Sequence, residues 1–417
     1  MKTVEDSNYR ICKNCFLCNS SNLTRVFKTN EIALTGVFPL SHEKDPIKTP
    51  ITLNICNDCN NLQMEEVVNK ELMFQDYWYR SGTTNSMKNH FNYLLSEIGE
   101  FNLGDSIFDI GCNDCTFLEI ARKKGFDVYG VEPSVAFADR TIEDDSRIAN
   151  DFFPTEKDWT LSKDKFNFIT AISMFYDVRE PLVFLSECKS RLETDGKLII
   201  EVNYAKTFLE RENVDMLGQE HLIYYFINTF ETTLNNAGLN LNDAFKNEMN
   251  GGNIVFICSE NKNKTDRLIS LSKEEDDYLQ GFIPEKFQPN VDHNFNRLTN
   301  KIIELLNNGK KLKIYGASTR GAFISQYLNL SKEHFISAVD VQLNKDGRRI
   351  PGTNIQIEME DRAEIPDVYL VLPYQFLDEF IKKNHSFLKN GGSFLCFRPS
   401  FCEIKMDDNG AIQKEHY

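Results

Sequence analysis

Between Asp105 and Ser134 apolar runs and polar breaks follow one another in the rhythm of strand, turn, helix and strand. SIFDIG reads as a short buried strand, GCNDCT as a turn, and FLEIARKKG as a helix closed by Gly125. FDVYGVEPS then reads as a second strand ending in an acid. RIANDFFPTE follows a third strand, and FNFITAISMFYD is a fourth. LVFLSECKSRL has helical spacing, with its Leu and Val positions read as core, and ETDGKLIIEVNY is a turn leading into a fifth strand. After Cys258 the pattern becomes polar and irregular, which reads as a linker with helical pieces whose charges form a solvated face. From about Asn300 the amphipathic LTNKIIELLNNG leads into KLKIYGAS and AFISQYL, a second strand, glycine turn and helix. GRRIPGT is a turn, and PDVYLVLP is another buried strand. The pattern predicts an α/β chain with a small module over 1–75, a Rossmann-like domain over 76–258, a linker over 259–299 and a second Rossmann-like domain over 300–417.

Composition narrows the choice of partner. A chain of 417 residues is long enough for two or three domains. A formal net charge of −15 argues against a nucleic-acid binder, which needs basic surface to displace phosphate counterions. No apolar run approaches the roughly 18 residues of a membrane span. The start, MKTVEDSNYR, has no apolar core and does not read as a signal peptide. The expectation is a soluble, cytoplasmic protein with a small-molecule substrate, its eleven cysteines kept reduced.

Cys12, Cys15 and Cys18 are spaced by threes, and Cys56 and Cys59 form a second pair. Two C-x-x-C pairs are the spacing of a four-thiolate zinc site, each pair forming one tight turn. Such turns favour a residue tolerant of the left-handed region after the second cysteine. Asn19 follows Cys18 and Asn60 follows Cys59, whereas Phe16 follows Cys15. The predicted ligands are therefore Cys15, Cys18, Cys56 and Cys59, with Cys12 spare. Four thiolates leave no open position, so the zinc is expected to be structural.

The turn after the first strand has one glycine, Gly111, and lacks the dinucleotide fingerprint. Glu132 comes about twenty residues later, the interval that sets an acid at the tip of the second strand to accept ribose hydroxyls. A cofactor without a pyrophosphate fits this turn, which favours S-adenosylmethionine over a nicotinamide, although a D-x-G turn also occurs in purely structural α/β units. Asp109, Gly111, Asn113, Asp114, Glu132 and Pro133 are the cofactor candidates here. Asp151 and Phe152 are placed beside an adenine, and Ser173, Met174 and Tyr176 at the end of the fourth strand, where it meets the cofactor.

In this order, DYWYRSGTTNSM, DIGCNDCT, GVEPS, ISMFYD, GQEHLIYYF and MNGGNIVF resemble the sugar C-methyltransferases that make branched deoxysugars. IYGASTRGAFISQYL, DGRRIPGTNI, PDVYLVLPYQF and LKNGGSFLCFRPS resemble the C-terminal domain of the same enzymes, so the similarity spans nearly the whole chain. The resemblance implies an N-terminal zinc domain, a central methyltransferase domain, a C-terminal Rossmann-like domain and a nucleotide-linked 4-keto-6-deoxyhexose as acceptor. It implies His221 as the base that takes the proton beside the ketone, with Glu220 next to it. It also implies that Tyr79, Tyr77 and Tyr224 face the sugar. This sequence departs from the pattern at Cys115, where glycine is usual, and at Gly218, where a tyrosine is common. Asn253, counted with the substrate side, replaces a serine, and Ala322 replaces an asparagine.

Taken alone, His221 is one of seven histidines and reads equally as a core residue, and Tyr224, Tyr225 and Phe226 read equally as packing. Ser318, Thr319 and Arg320 open the helix after KLKIYGAS. Backbone amides at a helix start together with one arginine make a cradle for a diphosphate, and a second Rossmann-like fold kept for packing is the alternative. Methylation of a hydroxyl or amine, and a non-catalytic sugar-nucleotide scaffold, stay open beside the C-methyltransferase reading.

Overall fold

The computed structural model describes residues 8–69, 72–73, 80–134, 147–155, 161–374, 377–398, 400–407 and 409–417. The central sheet has seven strands in the spatial order Ile148–Ala149, Asp127–Val131, Ser106–Ile110, Phe166–Ile172, Leu192–Asn203, Asn253–Ser259 and Asn240–Asn247. The first five run parallel, and Asn253–Ser259 is antiparallel to both of its neighbours. Parallel strands are covered on both faces, which is why SIFDI is buried at every position and does not alternate. Sequence order reverses on the two sides of Ser106–Ile110, so a crevice opens beyond the carboxyl ends of this strand and its neighbours.

The helix Thr116–Lys123 buries Phe117, Leu118 and Ala121 and stops before Gly125, which takes φ 103°. The helix Pro181–Ser190 departs from expectation. Leu182 and Val183 are exposed, and its core face is Phe184, Leu185 and Cys188.

The C-terminal sheet also has seven strands, ordered Ile357–Met359, Ala338–Asp340, Leu312–Tyr315, Val368–Val371, Ser393–Cys396, Cys402–Met406 and Ile412–His416. Its first five are parallel, again a Rossmann-like order, and the last two are antiparallel. The segment between the two α/β units is more than a solvated linker. It forms the helices Asp266–Gly281 and Pro284–Asn307, the second running across the boundary expected at 300. Phe287, Val291, Phe295, Leu298, Ile302 and Leu305 recur every three or four residues and are all buried. The ring of Phe287 meets Phe27 of the N-terminal module at 6.4 Å, and Phe295 meets Phe397 of the C-terminal domain at 4.7 Å.

The N-terminal module contributes Leu23–Lys28, Thr52–Cys56 and Leu62–Met64 to a four-stranded sheet. The fourth strand is Ile223–Tyr224, two residues from the middle of the chain that pair with Gln63 and Leu62. The N–H of Met64 extends the ladder by donating to the Leu222 carbonyl at 2.9 Å. Among the described residues no helix is long and apolar enough to cross a membrane.

Candidate active site

The crevice of the central sheet is built from strained backbone. Gly111, Asn113, Cys115 and Ser173 have φ of 74°, 53°, 64° and 55°. Left-handed conformations at non-glycine residues cluster where a ligand must approach main chain closely. Cys115 thus keeps the backbone that a glycine would adopt freely. A side chain at Gly111 would fill the crevice, since its Cβ would lie 3.2 Å from Met174 Cγ.

Glu132 spans the end of the second strand. Its two carboxylate oxygens accept from the N–H groups of Asn113 and Ser134, both at 2.9 Å. Pro133 between them is half-buried. Asn150 Nδ2 donates to the Glu132 carbonyl at 2.8 Å, tying the third strand to the second. Asp109 is buried and accepts from Thr170 Oγ1 at 2.6 Å, and burial pushes its pKa up to about 7. Asp151 accepts from the Phe152 N–H and the Thr155 hydroxyl, and it and Phe152 are half-buried. The Ser173 N–H donates to the Glu201 carbonyl at 2.9 Å, anchoring the fourth strand to the fifth.

The side chains of Asn113 and Asp114 bond to the segment that precedes the helix Asn85–Glu97. Asn113 Oδ1 accepts from the N–H and hydroxyl of Ser81, and Asp114 Oδ2 accepts from the Gly82 N–H at 2.9 Å. They clamp the turn Ser81–Thr83, and so the start of the helix Asn85–Glu97, to the cofactor turn. Tyr77 and Tyr79 lie outside the described residues.

His221 is half-buried, its ring 4.2 Å from that of Tyr176. Nδ1 lies 3.0 Å from the Met216 carbonyl, which can only accept, so Nδ1 carries the proton and Nε2 holds the lone pair. Burial lowers the His221 pKa, opposed by the nearby Glu220 charge and by the Met216 hydrogen bond, so the ring is neutral at pH 7. Glu220 folds back over Gly218: a Cβ there would stand 2.6 Å from its carboxyl group. The absence of a side chain at Gly218 is what makes room for that carboxylate. Asp177, whose Oδ1 is buried without a partner, is pushed far above the usual carboxylate range by burial and by Glu220. Tyr176 is expected at this strand end beside Ser173 and Met174, whereas the sequence reading gives Asp177 no role of its own.

Three of the expected acceptor-side residues have other places. Tyr224 is fully buried, and its hydroxyl donates to the Met216 carbonyl at 3.0 Å, so it supports the histidine from within the core. Tyr225 and Phe226 are likewise core. Asn253 sits in a buried network in which its Nδ2 donates to Glu201 Oε1 at 3.1 Å and its Oδ1 accepts from Asn203 Nδ2 at 2.8 Å. His90 Nε2 meets the other Glu201 oxygen at 2.8 Å. This cluster ties the helix Asn85–Glu97 to the central sheet, and its members are too far apart in sequence to form a motif. Arg320 is the third. Its guanidinium is buried, its Nε donates to Asp215 Oδ2 at 2.6 Å and its Nη2 to the Tyr374 hydroxyl at 2.9 Å, so its charge is neutralised within the protein.

The other residues at that helix start are also occupied. Ser318 Oγ caps the helix by accepting from the Gly321 N–H at 3.0 Å. Gly36 of the N-terminal module lies over Thr319. Asp340 occupies the tip of the second strand, where dinucleotide-binding folds carry the ribose acid. Here it is bonded by the Ala317 N–H and by the buried Lys345 ammonium. Ser318, Arg320 and Asp340 thus spend their side-chain polar groups within the protein.

At the N-terminus the Sγ atoms of Cys15, Cys18, Cys56 and Cys59 lie within 4.8 Å of one another. Cys15–Cys59 and Cys18–Cys56 are 3.5 and 3.6 Å apart, far beyond a disulfide bond and near the roughly 3.8 Å edge of a tetrahedron with 2.3 Å zinc–sulfur bonds. Asn19 and Asn60 have φ of 60° and 62°, as expected of the two turns. Each turn closes with matching bonds, Asn19 N–H to the Cys15 carbonyl and Asn60 N–H to the Cys56 carbonyl. Cys12 stays out, its Sγ directed at the Asn14 carbonyl.

Comparison with known proteins agrees with this architecture. The family described as "Methyltransferase domain" matches residues 81–243, and "C-methyltransferase C-terminal domain" matches 248–399. C-methyltransferase NovU of Streptomyces niveus is 24% identical over 361 residues, covering 83% of this chain and 85% of that protein. Among solved structures, the CcbJ methyltransferase of Streptomyces caelestis is 12% identical, covers 46% of this chain and 95% of its own, and has a TM-score of 0.34. A SAM-dependent methyltransferase of Aquifex aeolicus is 18% identical, covers 40% and 88%, and has a TM-score of 0.32. With a methyltransferase-domain match on the sheet that forms the crevice and a C-methyltransferase C-terminal-domain match following it, the chain is an S-adenosylmethionine-dependent methyltransferase.

Proposed function

We propose that the enzyme methylates carbon, next to the ketone of a nucleotide-linked 4-keto-deoxysugar. The observation that carries this reading is His221, neutral and with its Nε2 lone pair uncommitted to Met216. A C–H beside a carbonyl is acidic enough only for a positioned base, and a neutral imidazole is suited to that task near pH 7. The NovU relative, named a C-methyltransferase, supports the same class of reaction.

S-adenosylmethionine, when bound, supplies an electrophilic methyl group. Gly111, Ser173 and Met174 line the crevice that would receive it, with Glu132 for the ribose and Asp151 and Phe152 for the adenine. Asp109 stiffens the first strand beneath the crevice, and Asn113 and Asp114 hold the turn Ser81–Thr83 against it. On the acceptor side His221 removes the proton and Glu220 sits beside it, and the resemblance assigns Tyr79 and Tyr77 to the sugar. The four cysteines would hold a structural zinc, since no coordination position remains for water or substrate.

The test uses a dTDP-linked 4-keto-6-deoxyhexose in deuterium oxide. Deuterium entering the carbon beside the ketone, and a carbon-bound methyl in the product by NMR, support the reading. A methyl on oxygen or nitrogen, or no exchange, overturns it.

A further inference from the structure

The base is held from outside its own domain. Met216, whose carbonyl orients His221, ends the turn Val214–Met216, and the segment 211–216 is gripped by two arginines of the C-terminal domain. Arg398 donates through Nη1 to the Arg211 carbonyl and through Nη2 to the Glu212 carbonyl. Arg320 donates to Asp215 Oδ2, one residue before Met216, and lies over the ring of Tyr374 at 4.5 Å. Asn213 Nδ2 completes the seat by donating to the Gly251 carbonyl at 2.9 Å.

The Arg320–Asp215 pair is poorly compensated for a buried ion pair: Arg320 Nη1 and Asp215 Oδ1 have no partner. Apolar residues of similar volume would hold two domains together at least as well. What the pair adds is direction, since all contacts to Asp215 converge on one oxygen.

We propose that Arg320 and Arg398 are positioning residues through which the C-terminal domain fixes the Met216 carbonyl, and with it the orientation and tautomer of His221. This rests on the reading of His221 as base, and it gives the second Rossmann-like domain a task in the reaction other than holding a nucleotide.

The experiment is nitrogen NMR of the full chain labelled with 15N-histidine, the His221 signals being those lost in His221→Gln. Wild type should show Nδ1 protonated. Arg320→Gln and Arg398→Gln should move His221 towards the Nε2–H tautomer and slow deuterium exchange into a dTDP-linked 4-keto-6-deoxyhexose about tenfold. S-adenosylhomocysteine affinity should stay within about twofold of wild type, and Arg320→Lys should recover part of the loss. Because Arg320→Gln leaves Asp215 alone in the interior, the double variant Arg320→Gln/Asp215→Asn and the half-buried Arg398→Gln carry the test if the single variant does not fold. An unchanged His221 tautomer in these variants overturns the proposal whatever the rate does. Wild-type exchange in His221→Gln instead removes the base assignment, and the tautomer spectra still decide whether the arginines set the imidazole.

Discussion

His221 and Tyr224 share one acceptor, the main-chain carbonyl of Met216, which each reaches at 3.0 Å. One carbonyl thus holds a half-buried imidazole on one side and a fully buried phenol on the other. The two residues should respond very differently to substitution.

His221→Ala should lower methyl transfer by about 10²-fold or more, the usual contribution of a general base. Tyr224→Phe should cost about 1 kcal/mol of stability for one lost hydrogen bond and change the rate only a few-fold. Steady-state kinetics and thermal melts of both variants check this, and equal rate losses would mean that Tyr224 touches the substrate.

The pH dependence of the rate follows from burial of the imidazole. Its pKa lies below the ordinary 6.5, so His221 keeps its lone pair on acidification until the lowered pKa is reached. The acid limb of kcat/KM should therefore fall below pH 6.5. A limb centred above 6.5 would contradict a desolvated His221 as the base.

Asp109 should leave a signature in stability. Its folded pKa is raised to about 7, above that of an unfolded carboxylate near 3.9. The folded state thus binds the extra proton between those values. This contribution is complete below the unfolded pKa and is lost as pH rises through about 7. The melting temperature of Asp109→Asn relative to wild type should therefore improve from pH 5 to pH 8, and a constant difference would refute a buried, proton-binding Asp109.

Disrupting the proposed four-cysteine zinc site should reach the active site. Cys56→Ser or a strong chelator should abolish one equivalent of bound zinc, read by atomic absorption, and loosen the strand Leu62–Met64 on which Ile223–Tyr224 pairs. Loss of methyl transfer together with a lower melting temperature is expected. Full activity in zinc-free protein would show that the module does not support His221.

His90→Ala should be costly for a substitution away from the reacting groups. It leaves one oxygen of Glu201, which has no exposure, without its imidazole partner, and leaving a buried polar group unsatisfied costs about 1–3 kcal/mol. Urea denaturation reads the loss, and a change under about 1 kcal/mol would mean that Asn247 and Asn253 satisfy the carboxylate by themselves.

What the sequence revealed was local. Ser106 to Val131 is legible because burial, turn and helix closure all act within a few residues of one another, and Asn19 and Asn60 are legible because a left-handed position favours asparagine. Arg320 was legible as a special arginine but not as a paired one. Its partner Asp215 comes from another domain over a hundred positions earlier, and a distant carboxylate leaves no trace in local spacing. Tyr224 shows the same limit: an aromatic beside a catalytic-looking histidine is marked identically whether its ring meets a sugar or a β-sheet. Leu182 and Val183 failed because helical spacing alone does not say which stripe faces the sheet.

The four-stranded N-terminal sheet is finished by Ile223–Tyr224. During synthesis, then, the module carries an open edge at Leu62–Met64 until the five parallel strands that follow it in the chain have emerged. Exposed edges recruit other chains, and a long interval between a strand and its partner lengthens that exposure. The pairing that closes this edge also fixes Tyr224 beside His221, so completion of the N-terminal sheet and placement of the histidine are a single folding event.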